Sequence, residues 1–302
     1  MQTTPLVPSS DIELETGLGK DLLRKWRQRY GFPMPEAGAD GKVGYSRQTI
    51  SQLLLIKRLL EGGFQPAQVV GKTPLELDRL HRAITNDRAD SRCNESTGKL
   101  IERLKQTDLV GLQVLLVKQR ATGTLTEFVS NTVAPLLIEV GEAWSRGEIE
   151  IYHEHLCTSV IERCLHAEIL SSKPKRGYPK ILFATPPDEH HALGLLMAEA
   201  ALAGQGAKTV SLGSNTPLND LKMAAISCQV NVVAISFSFA YPARRVRPVI
   251  THLRHLLPAD IQLWVGGKGS DITRRPQKGV RIFSDVQETI GALHDLTKQN
   301  RG

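Results

Sequence analysis

The residues best able to do chemistry lie together in Glu189-His190-His191-Ala192-Leu193-Gly194. The imidazole of His191 can donate a lone pair to a metal. A carboxylate two residues earlier can hold the other ring nitrogen and fix the tautomer. Gly194 has no Cβ, so something large can approach the backbone there. One imidazole is a poor site for a bare ion, since zinc usually takes three or four protein ligands. It suits a metal that arrives already caged and needs one axial nitrogen. A lone loop histidine is otherwise solvated or bonded within its turn, so the surrounding elements have to decide.

The apolar run Lys180-Ile181-Leu182-Phe183-Ala184-Thr185 reads as a buried strand, and 193–202 as a helix rich in Leu and Ala. His191 then sits in a loop at the carboxyl end of a strand, where open parallel sheets place their ligands. The alternation continues. Strands are expected near 180–185, 208–212, 231–237, 261–265 and 280–283, and helices near 190–204, 217–229, 242–257 and 286–299. This pattern implies an α/β Rossmann-like domain over 177–302 with flavodoxin strand order. Its carboxyl-end loops are 186–191, 213–217, 236–241 and 266–271. Ser236, Ser238, Gly266 and Gly267 fall on two of them. Hydroxyls there can bond a base or ribose, and glycines leave it room. Gly204-x-Gly206 ends a helix, so it is not a dinucleotide fingerprint.

The spacing Glu189-x-His191-x-x-Gly194 resembles the Asp/Glu-x-His-x-x-Gly motif of cobalamin-binding domains. The resemblance implies that His191 binds cobalt from the lower face, that Glu189 orients it, and that Gly194 lies against the cofactor. In the same domains the later loops carry Ser-x-Leu and Gly-Gly around the nucleotide tail. Ser236 and Gly266-Gly267 match. Ser238 replaces the Leu, which implies a more polar pocket wall.

The chain of 302 residues is globular in composition, 41% hydrophobic and 23% charged. It has no apolar run near the roughly 18 residues of a membrane helix, and residues 1–10 lack the pattern of an export signal. A cytoplasmic protein with no membrane partner is expected. Cys93, Cys157, Cys164 and Cys228 form no Cys-x-x-Cys pair, which suits a reducing compartment. Cys157 and Cys164, seven apart, read as part of a buried helix stripe. The formal charge of +7 and pI near 9.3 favour a polyanionic partner without identifying it.

Near the N-terminus a short helix from about Asp11, capped by Ser9 or Ser10, is broken at Gly17-Leu18-Gly19. A second helix follows over 20–30. Leu22, Leu23, Trp26 and Tyr30 give it an inward face, and Lys20, Arg24, Lys25 and Arg27 point elsewhere. Two short helices about a Gly turn, the second basic, read as a helix-turn-helix. The cations would neutralise phosphates or reach base edges. The Gly-rich stretch 38–45, with Lys42 and Tyr45, suits a wing, and Ser46 caps a third helix over 47–62. The stretch Leu23-Arg24-Lys25-Trp26-Arg27-Gln28-Arg29-Tyr30-Gly31 resembles the Leu-Arg-x-Trp-x-x-Arg-Tyr-Gly signature of MerR-type winged helix-turn-helix regulators. Tyr45-Ser46 and Leu60-Glu61-Gly62-Gly63-Phe64 match the same family. Gly19 stands where a Ser or Thr cap is common. The wing lacks the family's Arg two residues before the Tyr, a charge Lys42 can supply. The resemblance implies binding to a double-stranded DNA operator over 1–75.

Between these parts, 76–172 shows helical patterns near 96–106, 108–121, 124–145 and 148–170, with Asp108 and Thr124 or Thr126 as caps and Pro135 set to kink the third. Short loops make a four-helix bundle. Trp144-x9-Glu154-His155 is similar to the Trp-x9-Glu-His motif of CarH-type cobalamin-dependent repressors. It implies that Trp144 covers the upper face of the corrin and that Glu154 and His155 hold an adenosyl group. Light-sensing members carry a His directly after this Trp, and here Ser145 stands in its place. A hydroxyl cannot replace an imidazole on cobalt.

The whole reading is a multidomain chain: a MerR-like all-α winged helix-turn-helix, a central four-helix bundle and a Rossmann-like cobalamin domain. It implies a transcriptional regulator, not an enzyme, that is controlled by bound cobalamin, with adenosylcobalamin the expected form and another upper ligand an alternative. It would act as a repressor and homo-oligomer, dimer or tetramer, with light photochemistry altered at Ser145. Two readings stay open at this stage. A corrinoid carrier for methyl transfer uses the same bundle and sheet pair, and a MerR-like regulator that has lost its cofactor would tolerate Ser145 and Ser238.

Overall fold

The computed structural model describes residues 6–38, 41, 43–61, 64–85, 95–238, 240–267, 269–270 and 277–299. Lys42 and Cys93 lie outside them, as does the side chain of Ser145. The chain divides into two compact units, Met1–Asp90 with Val140–Ile151, and Ser91–Glu139 with Tyr152–Gly302.

In the first unit β1 (Val7–Pro8) leads to α1 (Ile12–Thr16) and α2 (Lys20–Tyr30). Gly17 ends α1 and Gly31 ends α2, both at positive φ, where a residue without Cβ carries no penalty. Leu23 and Trp26 are buried as expected, whereas Leu22 is 39% exposed and lies off the inward face. Neither Ser9 nor Ser10 caps α1. Asp11 occupies that position, without a side-chain bond. β2 (Glu36–Ala37) and β3 (Val43–Tyr45) form the wing, and β3 also pairs with β1. Ser46 then caps α3 (Arg47–Glu61), its hydroxyl accepting from the Thr49 N–H at 3.3 Å. Ile50, Leu53, Leu55, Ile56 and Leu59 recur at helical spacing and are buried. α4 (Pro66–Val69) and α5 (Pro74–Thr85) complete this part.

The second unit begins with α6 (Glu95–Lys105) and α7 (Leu109–Arg120), the latter capped by Asp108 through the Gly111 N–H at 2.8 Å. Thr124 and Glu127 form a capping box that starts α8 (Leu125–Phe128). A π-helical turn, Val129–Val133, joins α8 to α9 (Ala134–Ser145). The break expected at Pro135 is therefore taken up one turn earlier. The wide turn absorbs the missing N–H of the ring. α10 (Ile151–Ser171) buries Cys157, Val160, Ile161 and Leu165. Burial pushes the Cys157 thiol up to about 12, in keeping with a core residue.

Five parallel strands follow: β4 (Lys180–Ala184), β5 (Lys208–Gly213), β6 (Val232–Ser236), β7 (Gln262–Gly266) and β8 (Val280–Ile282). Their order is β5-β4-β6-β7-β8, the flavodoxin order. Side chains alternate across the sheet as the period of two demands. Leu182, Val233, Ile235 and Leu263 face one core with α12 (Leu218–Ser227) and α13 (Ala243–Leu256). Ile181, Phe183, Val232 and Trp264 face the other, with α11 (Leu193–Gln205) and α14 (Val286–Gln299). The short helix α8 docks on α11. Gln205 Nε2 donates to the Thr126 hydroxyl at 3.0 Å, and a Cβ on Gly204 would come within 2.8 Å of the Leu125 Cβ. Among the described residues no helix is long and apolar enough to cross a membrane.

Candidate functional site

The strand order reverses between β4 and β6, and the loops leaving these two strands enclose His191. A crevice at such a reversal is where α/β sheets bind ligands. The loop after β4 is tightly braced. The Thr185 hydroxyl donates to the Glu189 carbonyl. The Asn215 N–H donates to the same carbonyl at 3.0 Å, and the Tyr241 hydroxyl donates to the Pro187 carbonyl at 3.2 Å. Asp188 and Asn215 adopt positive φ, a conformation that their short polar side chains tolerate. Arg245 pairs with Asp188 at 2.7 Å.

Within this frame Glu189 is 1% exposed and His191 is 65% exposed at their side chains. Glu189 Oε1 accepts from the His191 backbone N–H at 2.9 Å and lies 2.8 Å from His191 Nδ1. An ionised carboxylate only accepts, so Nδ1 carries the proton and the ring's lone pair lies on Nε2. Glu189 Oε2 accepts from the Ser238 N–H at 2.7 Å. Burial pushes the Glu189 carboxyl up, but the bonds from His191 and Ser238 together outweigh it and hold the group below its usual range.

Ser238 was expected in the wall of a nucleotide pocket. The structure places it beside His191, with its hydroxyl 3.2 Å from Nδ1. Phe237 before it is fully buried, and Ser238 reaches the β4 loop through its N–H bond to Glu189.

A second element of the site is an apolar cavity of about 200 Å³ between α11 and α14. Gly194, Ser236, Gly266 and Gly267 all line it, over Phe183 and Trp264. A Cβ on Gly194 or Gly266 would meet nothing within 4 Å, so these glycines keep space open. Gly267 has φ +86, and a Cβ there would lie 2.2 Å from the Phe237 carbonyl oxygen. No side chain fits that close approach. One outward imidazole nitrogen beside a glycine-walled apolar cradle fits a caged metal with an organic tail.

The residues expected above the corrin fall in both units. Trp144 is buried in the first unit, where it lines a cavity of about 510 Å³ with Arg47, Gln52, Leu55 and Leu75. Glu154 is half-buried and His155 exposed in the first turn of α10, in the second unit.

On α2, Lys20, Arg24 and Lys25 are exposed, and Arg24 pairs with Asp21 at 3.0 Å. Arg27 is half-buried and donates to the Tyr45 hydroxyl at 2.9 Å. Its Nε is buried without a partner. Tyr45 is only 2% exposed, so it cannot serve as the surface contact expected of it. It ties the wing to α2 and positions Arg27. Lys20, Arg24, Arg27 and Val43 line one cleft of about 350 Å³ between helix and wing.

Residues 8–73 match the MerR HTH family regulatory protein domain and residues 99–167 match the B12 binding domain. The chain is 26% identical over 255 residues to the HTH-type transcriptional repressor CarH of Myxococcus xanthus, covering 83% of this chain and 85% of that protein. It is homologous to CarH. It is also 28% identical over 261 residues to the repressor CarA of the same organism, covering 84% of each. The monomethylamine corrinoid protein of Methanosarcina barkeri is similar at a TM-score of 0.49 and 16% identity, over 65% of this chain and 96% of that one. A likeness of that size carries no argument about function. The CarH homologue thus joins a MerR helix-turn-helix to a B12-binding domain in one chain.

Proposed function

We propose that this chain is a DNA-binding transcriptional regulator, a repressor, whose hold on its operator depends on bound cobalamin. The observation that carries the reading is the Glu189–His191 pair: the buried carboxylate holds Nδ1 and leaves the lone pair on Nε2 of a ring that is 65% exposed, in the same unit as the glycine-walled cavity. His191 would hold the cofactor from below. Glu189 would keep the ring in the donating tautomer and offset the charge drawn from it. Ser238 would steady both. Gly194, Ser236, Gly266 and Gly267 would receive the nucleotide tail, with the Ser236 hydroxyl as its polar contact. Trp144, Glu154 and His155 would cover the upper side. When bound, cobalamin supplies a light-sensitive cobalt–carbon bond if its upper ligand is an alkyl group such as adenosyl.

In the first unit Lys20, Arg24, Lys25 and Lys42 would neutralise phosphates, with Arg27 held in place by Tyr45. A helix-turn-helix has no task in shuttling methyl groups, which favours a regulator over a methyl carrier. A ligand changes DNA occupancy only if it binds one arrangement of the chain better than another. We expect that arrangement to be a homo-oligomer, a dimer or tetramer, with adenosylcobalamin bound.

The test is to load the purified chain with adenosyl-, methyl- and hydroxocobalamin and record absorbance, gel filtration and operator binding in darkness and after green light. The reading expects a bound-cofactor spectrum, and a shift in elution and operator occupancy with at least the adenosyl form. Because Ser145 offers no imidazole, light should leave no stable spectrum of two histidines on cobalt. No uptake of any cobalamin would refute the reading. A stable two-histidine spectrum would refute the role given to Ser145.

A further inference from the structure

Taken as a whole, the first unit carries no net charge. Residues 1–90 and 140–151, the first unit, hold fourteen Lys and Arg against fourteen Asp and Glu. The whole formal excess of +7 therefore belongs to the second unit. Part of it is gathered at the amino ends of β4 and β5. The stretch 171–180 contributes Lys173, Lys175, Arg176 and Lys180 with no acid among its residues, and β5 opens on Lys208.

The fold holds these cations together. The Lys175 N–H donates to the Gly206 carbonyl at 2.9 Å, and the Lys208 N–H to the Pro179 carbonyl at 3.1 Å. Lys180 and Lys208 are register partners on adjacent strands. Like charges set opposite one another destabilise a sheet. Lys180 relieves its share by donating to the Cys228 carbonyl at 2.7 Å, where α12 ends. A helix carboxyl end favours a cation in this way, but that explains Lys180 alone. Lys173, Lys175 and Lys208 are exposed and make no ion pair among the described residues. The Lys175 stem lies across Gly206, where a Cβ would come within 2.6 Å of Cδ, and its ammonium sits 5.6 Å from the Tyr178 ring centroid. The stem is packed and the charged head is presented to water. Glu168, at the end of α10, is already taken by Arg120 at 2.8 Å.

We propose that this face is a second contact for the DNA backbone, read without regard to sequence and supplied by the cofactor-binding unit. It rests on the DNA-binding reading above. The face lies at the opposite end of the strands from His191, so a cofactor held at the carboxyl ends leaves it open. The partner is the phosphate chain of duplex DNA, because the exposed ammonium groups of Lys173, Lys175 and Lys208, paired with no acid among the described residues, recognise repeated negative charge and nothing finer. The first unit then supplies register, and the second supplies electrostatic hold.

The experiment uses the full cobalamin-loaded chain, its K175Q/R176Q/K208Q variant and its K208Q variant, with a mixed-sequence 40-base-pair duplex. Binding is measured across a salt series. Each lost phosphate contact lowers the slope of log K against log salt by about 0.9. The triple variant should lose about 2 to 3 in slope, and K208Q about 0.9. At 0.1 M salt the triple variant should bind roughly two orders of magnitude more weakly. Unchanged cobalamin uptake shows that a variant is folded, and K208Q decides alone if the triple variant is not. Folded variants with the wild-type slope would overturn this inference and leave the regulator reading standing. A wild-type chain that binds no duplex at any salt would overturn both.

Discussion

Replacing Glu189 with Gln isolates what the buried carboxylate does for the axial histidine. The side chain keeps its shape and loses its charge. One amide oxygen can still accept from the His191 N–H and from Nδ1, at the present 2.9 and 2.8 Å. The amide nitrogen must then face the Ser238 N–H, which now donates to Oε2 at 2.7 Å. Two donors oppose each other in a group that is 1% exposed, and a bond to a charged acceptor is worth about 1.5–3 kcal/mol. If the amide flips to satisfy Ser238, His191 loses both of its bonds instead. In the flipped orientation the ring, 65% exposed, is freed to turn, and in both orientations Nδ1–H loses its anionic partner as Nε2 donates. A loss of about 1.5–3 kcal/mol in cofactor binding corresponds to about a 10- to 100-fold rise in Kd, the range expected for partners behind a metal ligand. The assay is an absorbance titration with hydroxocobalamin, with thermal unfolding recorded in parallel. Cofactor affinity within a factor of two of wild type in a folded E189Q protein would refute the assignment of Glu189.

Three further outcomes follow from the same geometry. G266V should push a side chain into the cavity, where a Cβ now meets nothing within 4 Å; it should weaken cobalamin binding at least tenfold while sparing cobinamide, which lacks the nucleotide tail, and equal loss for both in titration would count against the cavity's role. Y45F removes the acceptor of the Arg27 bond at 2.9 Å and should weaken operator binding about two- to tenfold by gel shift, with cobalamin uptake unchanged. Burial raises the pKa of Glu199, 5% exposed, against bonds from Thr209 and Ser211 that lower it. The folded chain thus keeps this proton to higher pH than the unfolded chain does. The stability it lends is full below the ordinary value of 4.5 and falls as pH rises toward the folded value. E199Q should therefore flatten the decline in melting temperature between pH 4.5 and neutrality, and an unchanged decline would contradict the assignment.

The elements that hold the site were legible in the sequence for a local reason. The inner strands β4, β6 and β7 are short apolar runs bounded by turn residues and largely buried, so 180–185 stands out against its flanks without any knowledge of its neighbours. His191 and Glu189 are two residues apart in one loop, and their bond depends on that loop alone. Ser238 is different. Its bond to Glu189 joins residues 49 apart in the chain, and only the adjacency of β4 and β6 brings them together. Tyr45 could be read as a wing residue, but its burial against α2 depends on how the hairpin β2–β3 folds back, which periodicity does not carry. Leu22 shows the limit of a helical stripe: next to Leu23 it lies about 100° around the helix, and one step is enough to leave the core. The placing of Trp144 in the first unit was beyond the sequence altogether, because a bundle helix gives no local sign that its last turn packs elsewhere.

The most direct measurement is the absorbance of full-length H191A incubated with hydroxocobalamin beside the wild-type chain, followed by gel filtration to remove free cofactor. The wild-type protein should elute coloured, with the spectrum of cobalt bound by a histidine, and H191A should elute colourless or with the spectrum of the free cofactor. If H191A retains the pigment with the wild-type spectrum, the axial role of His191 is contradicted.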